Sequence, residues 1–276
     1  MEIKVLNKGF VILVDIMGND SSIVQAARTS YGTGVKSYEE DKKLIRYLLR
    51  NKHTSPFEMV ELKFHIKLPI FVARQWIRHR TANVNELSGR YAEMKNEFYI
   101  PNEENIREQS TTNKQGRSDN KLNQKSAVEF TDSIIATQKK SFVEYKNYIE
   151  TGVARELARI NLPLSIYTEW YWKIDLHNLF HFLKLRLDNH AQYEIRCYAE
   201  AIATILKEKV PIAYQAFEDY ILNTIYFSDK EQIVLANLLK NINLYDINFE
   251  NTELDKREIN ELKVKLNTLK EKQIKN

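Results

Sequence analysis

The sequence predicts an α+β domain followed by a charged helical extension, and three observations carry that prediction. Apolar and polar residues alternate over Val60–Leu68 and again over Ile166–Ile174, which is the period of half-buried β-strands. Between and after these segments, apolar residues recur at helical spacing. In the tail, four apolar residues follow the spacing of an amphipathic helix or coiled-coil seam: Ile259, Leu262, Leu266 and Leu269. We expect one domain over residues 1–227 and the extension over 228–276.

The first elements are a strand and two helices. Phe10–Val14 is a short apolar run typical of a buried strand, and Ser22–Arg28 favours a helix. Ser37 and Glu40 have the spacing of a capping box, because the serine can accept from an orphan N–H and the glutamate can reach back. This predicts a helix through about Asn51.

A strand, a helix and a loop follow without a break. After the Val60–Leu68 strand, Pro69 has the fixed φ that suits a first helical position, so a short helix is predicted from Pro69 to Ile77. A loop is predicted from Thr81 onward, since its Asn, Ser and Gly residues disfavour helix. Phe98–Pro101 predicts another strand.

A polar segment divides the chain. Residues 105–126 hold almost no large apolar group, which leaves little to offset the entropy of ordering them. A lid that orders on ligand binding and a passive mobile insertion are both consistent with this composition.

The rest of the chain is predicted to be mainly helical. Helices are expected at 127–151, 154–163, 175–187 and 191–209, and two more begin at Pro211 and at Ser228. Asp175 is the expected cap of the 175–187 helix, and one strand is expected at 166–174.

Composition narrows the class of protein. The 276 residues are 43% hydrophobic and 28% charged, as in ordinary globular proteins. The 41 basic and 37 acidic residues are too balanced to indicate a nucleic-acid or membrane surface. No apolar run has the length of a membrane span and the start lacks a signal peptide, so a cytoplasmic protein is expected.

Cysteine and histidine chemistry is sparse. The single Cys197 excludes an internal disulfide, and its position in a predicted helix favours a buried, inert thiol. His177 and His181 lie one helical turn apart, but the segment lacks the glutamate of the zinc-protease motif and a third ligand, so no metal is expected.

The densest chemistry lies between Arg78 and Tyr91. Within this stretch are the Arg78-His79-Arg80 triplet, the carboxylate of Glu86 and the sequence SGRY from Ser88. Arginine forks pair bidentately with phosphate and carbonyl oxygens, so the cluster suits a ligand with a phosphate and a polar ring. The alternative to a ligand site is a solvent-exposed helix end followed by a charged loop. The Arg-His-Arg triplet taken by itself would favour that alternative.

Four segments together resemble the flavin-dependent thymidylate synthases. They are RHR followed after seven residues by SGRY at 78–91, HTSPFE at 53–58, RELARINLP at 155–163 and HFLKLRLDNHAQ at 181–192, and the resemblance runs from about Val24 to about Tyr220. It implies an antiparallel sheet packed with long helices, and a homotetramer with shared active sites. It also implies conversion of dUMP to dTMP without a cysteine nucleophile. Methylenetetrahydrofolate would donate the carbon and FAD, reduced by NADPH, the hydride.

The resemblance also implies roles for individual residues. Those expected at dUMP are Gln75, Trp76, Ile77, Arg78, Glu86, Leu87, Ser88, Gly89, Arg90, Arg159 and Arg186. Those expected at FAD are His53, Ser55, Arg78, His79, Arg80, Glu86, Asp175, His177 and His181. Several members of the family have asparagine at the places of Asp175 and His181, so these contacts can differ, and a carboxylate at Asp175 fits ribose or adenine better than phosphate.

Within this scheme Arg186 is the catalytic candidate. Uracil C5 becomes nucleophilic when negative charge builds on the O4/N3 side of the ring, and a fixed guanidinium there stabilises that form. Arg90 and Arg159, with the N–H groups of Ser88 and Gly89, would hold the phosphate. Arg78, His79 and Arg80 would neutralise the FAD phosphates. Ser88 is assigned to binding, because a serine nucleophile needs an oriented base.

Two other classes of function are weighed against this one. A different flavin or nucleotide enzyme on the same scaffold would bind FAD without responding to dUMP. A nucleic-acid-binding module would use the arginines and the Lys-rich segments as a phosphate surface, with affinity falling steeply with salt. The balanced charge argues against the second.

Overall fold

A five-stranded antiparallel sheet organises the residues that the structure describes. The computed structural model describes residues 1–29, 37–112, 114–243, 247–250 and 252–272. Its strands are β1 (Glu2–Val5), β2 (Gly9–Met17), β3 (Glu61–Pro69), β4 (Asn83–Glu86), β5 (Arg107–Gln109), β6 (Arg117–Lys121) and β7 (Tyr167–Asp175). The sheet has the order β1-β2-β3-β7-β4, and β5 pairs with β6 in a separate hairpin.

Ten α-helices complete the described chain. They are α1 (Asp20–Thr29), α2 (Tyr38–Arg50), α3 (Ile70–Trp76), α4 (Gln124–Glu150), α5 (Arg155–Ala158), α6 (Leu176–Arg186), α7 (Tyr193–Lys209), α8 (Pro211–Phe217), α9 (Asp229–Leu239) and α10 (Lys256–Glu271). The predicted α+β fold is confirmed.

Both strands predicted from alternation lie at the centre of the sheet. β3 and β7 pair from Glu61 opposite Asp175 to Pro69 opposite Tyr167 without a register shift. Their apolar residues face one core, in which Phe64 and Trp172 are fully buried. Burial of each such side chain contributes roughly 1.5–3 kcal/mol. The opposite face carries polar residues, as a sheet covered by helices on one side requires.

The buried face of the sheet packs against α7. Tyr198 of α7 is fully buried and donates from its hydroxyl to the backbone oxygen of Lys67 at 2.8 Å. A Cβ atom at Gly9 would lie 2.1 Å from that hydroxyl oxygen. Glycine is therefore required where β2 passes beneath α7.

Capping residues set the helix boundaries that the sequence predicts. The Ser37–Glu40 capping box opens α2, and a second box of Ser228 and Glu231 opens α9. At α6 the Asp175 carboxylate accepts from the Asn178 backbone N–H at 2.9 Å. Each cap contributes about 1 kcal/mol, because it satisfies an N–H that has no partner within the helix.

Two predictions between α3 and the polar segment 105–126 were wrong. Asn83–Glu86 forms β4 rather than loop, because pairing with β7 overrides the weak strand propensity of asparagine. Phe98–Pro101 is not a strand. Only an isolated bridge joins Phe98 to Ile166 there.

Two further predictions changed in detail. Pro69 is the last residue of β3 and the N-cap of α3, not its first helical residue, and its backbone is extended with ψ 145°. The polar segment 105–126, whose Asn113 lies outside the described residues, contains the β5–β6 hairpin, and α4 begins at Gln124. Asn123 caps α4 by accepting from the Ser126 N–H at 3.0 Å.

The described residues group into two compact units, Met1–Leu222 and Asn223–Asn276. The second unit contains α9 and α10, which pack on each other. The predicted extension, 228–276, includes positions 244–246, 251 and 273–276, which lie outside the described residues. Among the helices described, none combines the length and apolar character needed to cross a membrane.

Candidate active site

A hydrogen bond between Arg186 and His79 joins the end of α6 to the segment after α3. The Arg186 Nε atom donates to His79 Nε2 at 2.9 Å, and an Nη atom of Arg186 lies 3.5 Å from the Gln75 backbone oxygen. α3 stops at Trp76, and the chain beyond it turns so that His79 faces α6; the Gln75 backbone oxygen, which also accepts from the Arg78 N–H at 3.4 Å, lies on the same side. The predicted catalytic arginine is therefore held at two points.

The His79 imidazole is neutral near pH 7. Burial lowers its pKa to about 4, and the neighbouring positive charge of Arg186 and the ring of His181 act in the same direction. Burial also lowers the pKa of Arg186. Without a ligand, His79 therefore adds no positive charge beside Arg78 and Arg80, and its expected place at FAD stays a prediction.

The loop that follows β4, residues 87–92, is fixed to β7 at its start. The Thr168 hydroxyl donates to Glu86 Oε1 at 2.8 Å, and the Leu87 N–H donates to the Glu169 backbone oxygen at 2.8 Å. Beyond this point the Ser88 backbone oxygen accepts from the N–H groups of Tyr91 and Ala92 at 3.1 Å. The turn places Ser88, Gly89 and Arg90 at the end of an ordered strand.

Arg159 lies directly over Gly89. A Cβ atom at Gly89 would lie 3.1 Å from the Arg159 Cδ and 3.3 Å from its Nη1. Next to it, Arg90 Nε is 3.2 Å from a carboxylate oxygen of Glu156. The structure therefore brings together the four residues expected to hold a phosphate, although they come from segments about 70 residues apart in sequence.

Several of the residues expected at FAD lie in α6 or next to it. Ser55 begins the 3₁₀ turn Ser55–Met59, which packs against α6, and His53 precedes that turn. The His181 ring centroid is 6.2 Å from that of His79. The Asp175 carboxylate is engaged by Asn178, whose N–H and side-chain nitrogen lie 2.9 and 2.7 Å away.

Two residues expected at dUMP are constrained by the fold. The Trp76 side chain is fully buried among Trp170, Trp172 and Phe182. Any contact of Trp76 with a nucleotide must therefore use its backbone. Ile77 is 41% exposed and is the C-cap of α3.

The residues expected at dUMP form two groups in the single chain. One is the phosphate group of Ser88, Gly89, Arg90 and Arg159, and the other contains Gln75 and Arg186. Across the described parts of the chain, no hydrogen bond or ion pair joins the two groups.

A buried polar network beside Gln75 was not predicted. The Glu194 carboxylate, 2% exposed, binds Arg117, accepts from Tyr99 Oη at 2.9 Å and accepts from Gln192 Nε2 at 2.8 Å. Gln192 Oε1 in turn accepts from Gln75 Nε2. The sequence did offer one signal for this network. Glu194 lies one helical turn before Tyr198, on a face of α7 that is otherwise apolar.

Comparisons with known proteins agree with this geometry. The family described as Thymidylate synthase complementing protein matches residues 12–212. A protein named flavin-dependent thymidylate synthase from Wolbachia pipientis wMel is 53% identical over 261 residues, 95% of this chain and 90% of that protein. One of the same name from Treponema denticola is 56% identical over 238 residues, 86% of this chain and 90% of that protein.

A solved structure has the same fold. It is a UMP/dUMP methylase, PolB, from Streptomyces cacaoi, bound with 5-Br dUMP. The two chains superpose with a TM-score of 0.72 and 31% sequence identity, over 80% of this chain and 99% of that one.

Proposed function

This chain belongs to the flavin-dependent thymidylate synthases, and from that premise we propose how its residues carry out the reaction. It methylates dUMP at C5 to form dTMP, with a flavin as cofactor. In our proposal the flavin is FAD, methylenetetrahydrofolate donates the carbon and NADPH is the reductant. The reaction takes place in the cytoplasm.

The observation that carries the mechanism is a half-buried guanidinium without a carboxylate partner. Within the described residues, Arg186 contacts only the neutral His79 and the Gln75 carbonyl through hydrogen bonds. Its positive charge is therefore available to a ligand. Placed at the O4/N3 side of uracil, it stabilises the anionic form of the ring and so increases the nucleophilicity of C5.

The phosphate of dUMP fits the group formed by Ser88, Gly89, Arg90 and Arg159. Arg159 makes no ion pair in the described chain, and Arg90, a residue of the loop, pairs with the half-exposed Glu156 of α5. An entering phosphate would take both guanidiniums, since charge-assisted bonds to phosphate are stronger than an exposed ion pair. Glu86, fixed by Thr168, would border the sugar or base.

The donors present also suit FAD. Arg78 and Arg80 are exposed and form no ion pair within the described part of the chain, which fits a diphosphate. His53, Ser55, His79, His177 and His181 would border the rest of the cofactor, and the Asp175 carboxylate fits a ribose hydroxyl. Bound FAD, once reduced, supplies the hydride that completes the methyl group.

Assembly from two copies would bring the two dUMP groups into one site. We propose a homotetramer in which the phosphate group of one subunit faces Gln75 and Arg186 of another. The segment from α5 to Leu164 supports this, because Leu157, Ile160 and Leu164 are 58%, 73% and 61% exposed. Exposed apolar residues next to a binding group favour a protein interface.

The test is a single-turnover reaction with protein loaded with FAD. The flavin is reduced anaerobically, and its reoxidation is followed after adding dUMP and methylenetetrahydrofolate, with dTMP measured by chromatography. We expect dTMP only when both substrates are present. Bound flavin without dTMP would indicate another flavin reaction, and salt-sensitive binding of nucleic acid without flavin would indicate the alternative class of function.

A further inference from the structure

The end of α6 makes contacts on two opposite sides. On one side the Phe182 ring centroid is 4.9 Å from that of His79, and Arg186, one turn later, donates to the same ring. On the other side Phe180 and Lys184, also one turn apart, contact α8 and the segment that follows it. Residues two positions apart on a helix are separated by about 200° around its axis, which places the two pairs on opposite sides.

Lys184 joins α6 to the π-helix Glu218–Leu222, which follows α8. Its ammonium group donates to the backbone oxygens of Ile221 and Leu222 at 2.6 and 3.2 Å. Carbonyls at the end of a helix have no donor within that helix, and a positive charge is favourable there. The lysine therefore satisfies two carbonyls of the last turn in the compact unit Met1–Leu222.

The contact one turn earlier is apolar. The Phe180 ring stacks on that of Phe217, the last residue of α8, with centroids 4.5 Å apart and an angle of 8° between the rings, and both side chains are buried. Apolar contacts are not directional, whereas a hydrogen bond weakens steeply when its donor is displaced. The contact of Lys184 therefore adds a directional restraint on the rotation of α6 that the stacked rings do not supply.

The position of the Arg186 guanidinium depends on that rotation. Its Nε atom donates to His79 Nε2 at 2.9 Å, and an Nη atom lies 3.5 Å from the Gln75 backbone oxygen. The second distance is near the upper limit of a hydrogen bond, so a small turn of α6 away from α3 breaks that contact. Such a turn matters for the reaction, because a misplacement of about 1 Å can lower the rate by about 100-fold.

We propose that Lys184 is a positioning residue for Arg186: it holds the end of α6 against the π-helix Glu218–Leu222 and so directs the guanidinium toward His79 and the base of dUMP. The proposal rests on the proposed function, which assigns Arg186 to uracil. It adds a residue outside the expected binding set, which acts on the reaction from the opposite side of α6.

The experiment combines imidazole NMR with kinetics in the full-length protein loaded with FAD, and compares the wild type with Lys184→Met. Methionine keeps an unbranched apolar side chain but cannot donate. Burial and the charge of Arg186 hold the pKa of His79 low, so we expect a higher His79 midpoint in the variant, in which the guanidinium has moved away. We expect kcat to fall about 10-fold or more. KM for dUMP should change less, because Arg90 and Arg159 still hold the phosphate.

Two further substitutions keep the test decisive if Lys184→Met fails to fold. Lys184→Arg retains a charged donor and should restore most of kcat and the low His79 midpoint, whereas Lys184→Gln is shorter and uncharged and should give intermediate values. The matched control is Lys207→Met. It removes a lysine of α7 whose Nζ lies 3.1 Å from a carboxylate oxygen of Glu218, at the start of the same π-helix. This control should leave kcat and the His79 midpoint at their wild-type values.

The outcomes separate the proposal from the function on which it rests. Wild-type protein that forms no dTMP would overturn the proposed function, and the His79 midpoint would still decide whether Lys184 places Arg186. A folded Lys184→Met or Lys184→Gln protein with the wild-type kcat and His79 midpoint would overturn the positioning role alone. A fall in kcat that matches a fall in flavin content, at an unchanged His79 midpoint, would also overturn it, as would equal changes in Lys207→Met.

Discussion

The Arg186 guanidinium donates from Nε to Nε2 of His79, and this bond determines the protonation state of the histidine. Guanidinium has no acceptor, so Nε2 must be the unprotonated nitrogen and the proton lies on Nδ1. Protonation of His79 would place a second positive charge next to Arg186 and break the bond between them.

We expect His79 to remain neutral until about pH 4. The ordinary pKa of about 6.5 applies to the unfolded chain, so the unfolded state binds more protons between those two pH values. The free energy of unfolding should therefore fall as pH decreases from about 6.5 to about 4. Imidazole NMR gives the midpoint directly, and urea unfolding measures the stability.

His190→Gln is the matched control for this titration. His190 is exposed, and among the described residues its ring contacts Asp188, so its replacement should leave the packing around His79 intact. His79→Gln should reduce the pH dependence of stability. A His79 midpoint near its ordinary value would contradict our assignment of a neutral ring.

Arg186 and Ser88 should differ sharply on substitution. Arg186→Ala should lose nearly all turnover, and Arg186→Lys should lose about 100-fold, since a lysine cannot reproduce the planar contacts of the guanidinium. Ser88→Ala should retain measurable turnover, because backbone N–H groups also bind the phosphate. Single-turnover flavin reoxidation measures all three. Complete loss of dTMP in a folded Ser88→Ala protein would indicate that the hydroxyl takes part in the chemistry.

Gly89→Ala should weaken dUMP binding without unfolding the protein. The new methyl group would displace Arg159, whose Cδ would lie 3.1 Å from it, and we expect KM for dUMP to rise about 10-fold through one lost charge-assisted contact. Steady-state kinetics with varied dUMP measures this.

Gly152→Ala provides the contrast. Its φ of +85° is unfavourable to alanine, but no atom lies within 4 Å of the added Cβ. It should lose about 1 kcal/mol of stability with an unchanged KM. An equal rise in KM for both variants would refute the specific role of Gly89.

Cys197→Ala should keep dTMP formation within about twofold of wild type. Burial raises the pKa of the Cys197 thiol, so little of the reactive thiolate is present at pH 7. Alkylation of wild-type protein should accordingly be slow, and the alkylation rate and the turnover of the variant are both simple to measure. Loss of turnover in a folded Cys197→Ala protein would restore a nucleophilic role for the thiol.

A chain shortened to residues 1–227 should still form dTMP. We propose this segment as the catalytic domain and 228–276 as the extension, because every residue assigned to dUMP or FAD lies within the compact unit Met1–Leu222. Flavin content and dTMP yield of the shortened chain test the proposal. Failure to bind flavin would show that the extension contributes to the site.

Local signals predicted the elements whose stability is local. The alternation around Phe64 and Trp172 is a repeat within each strand, although the two strands pair across about 100 residues of sequence. The box of Ser37 and Glu40 and the Asp175 cap use contacts between residues three apart. The short strands β1, β4, β5 and β6 were not predicted. In β4 the asparagines disfavour a strand, its partners in β7 lie 84–90 residues away, and all four residues are exposed, so no buried face sets a periodic signal.

The same distinction holds for the candidate site. The motif around Arg78 and Ser88 is contiguous, so resemblance identified it. The contacts of Arg159 with Gly89 and of Glu194 with Arg117 depend on the folded sheet, and they appear only in the structure.

The aromatic cluster behind α3 confines the intrinsic tryptophan fluorescence of the chain to one region. Its three tryptophans, Trp76, Trp170 and Trp172, are all buried in one place, and none of their indole N–H groups has a hydrogen-bond partner among the residues that the structure describes. Phe182 connects the cluster to the His79 ring. Intrinsic fluorescence therefore reports on the packing beneath this site, while melting of the tryptophan-free C-terminal unit is silent. Because flavin absorbs where tryptophan emits, cofactor binding becomes a quenching signal that needs no added label.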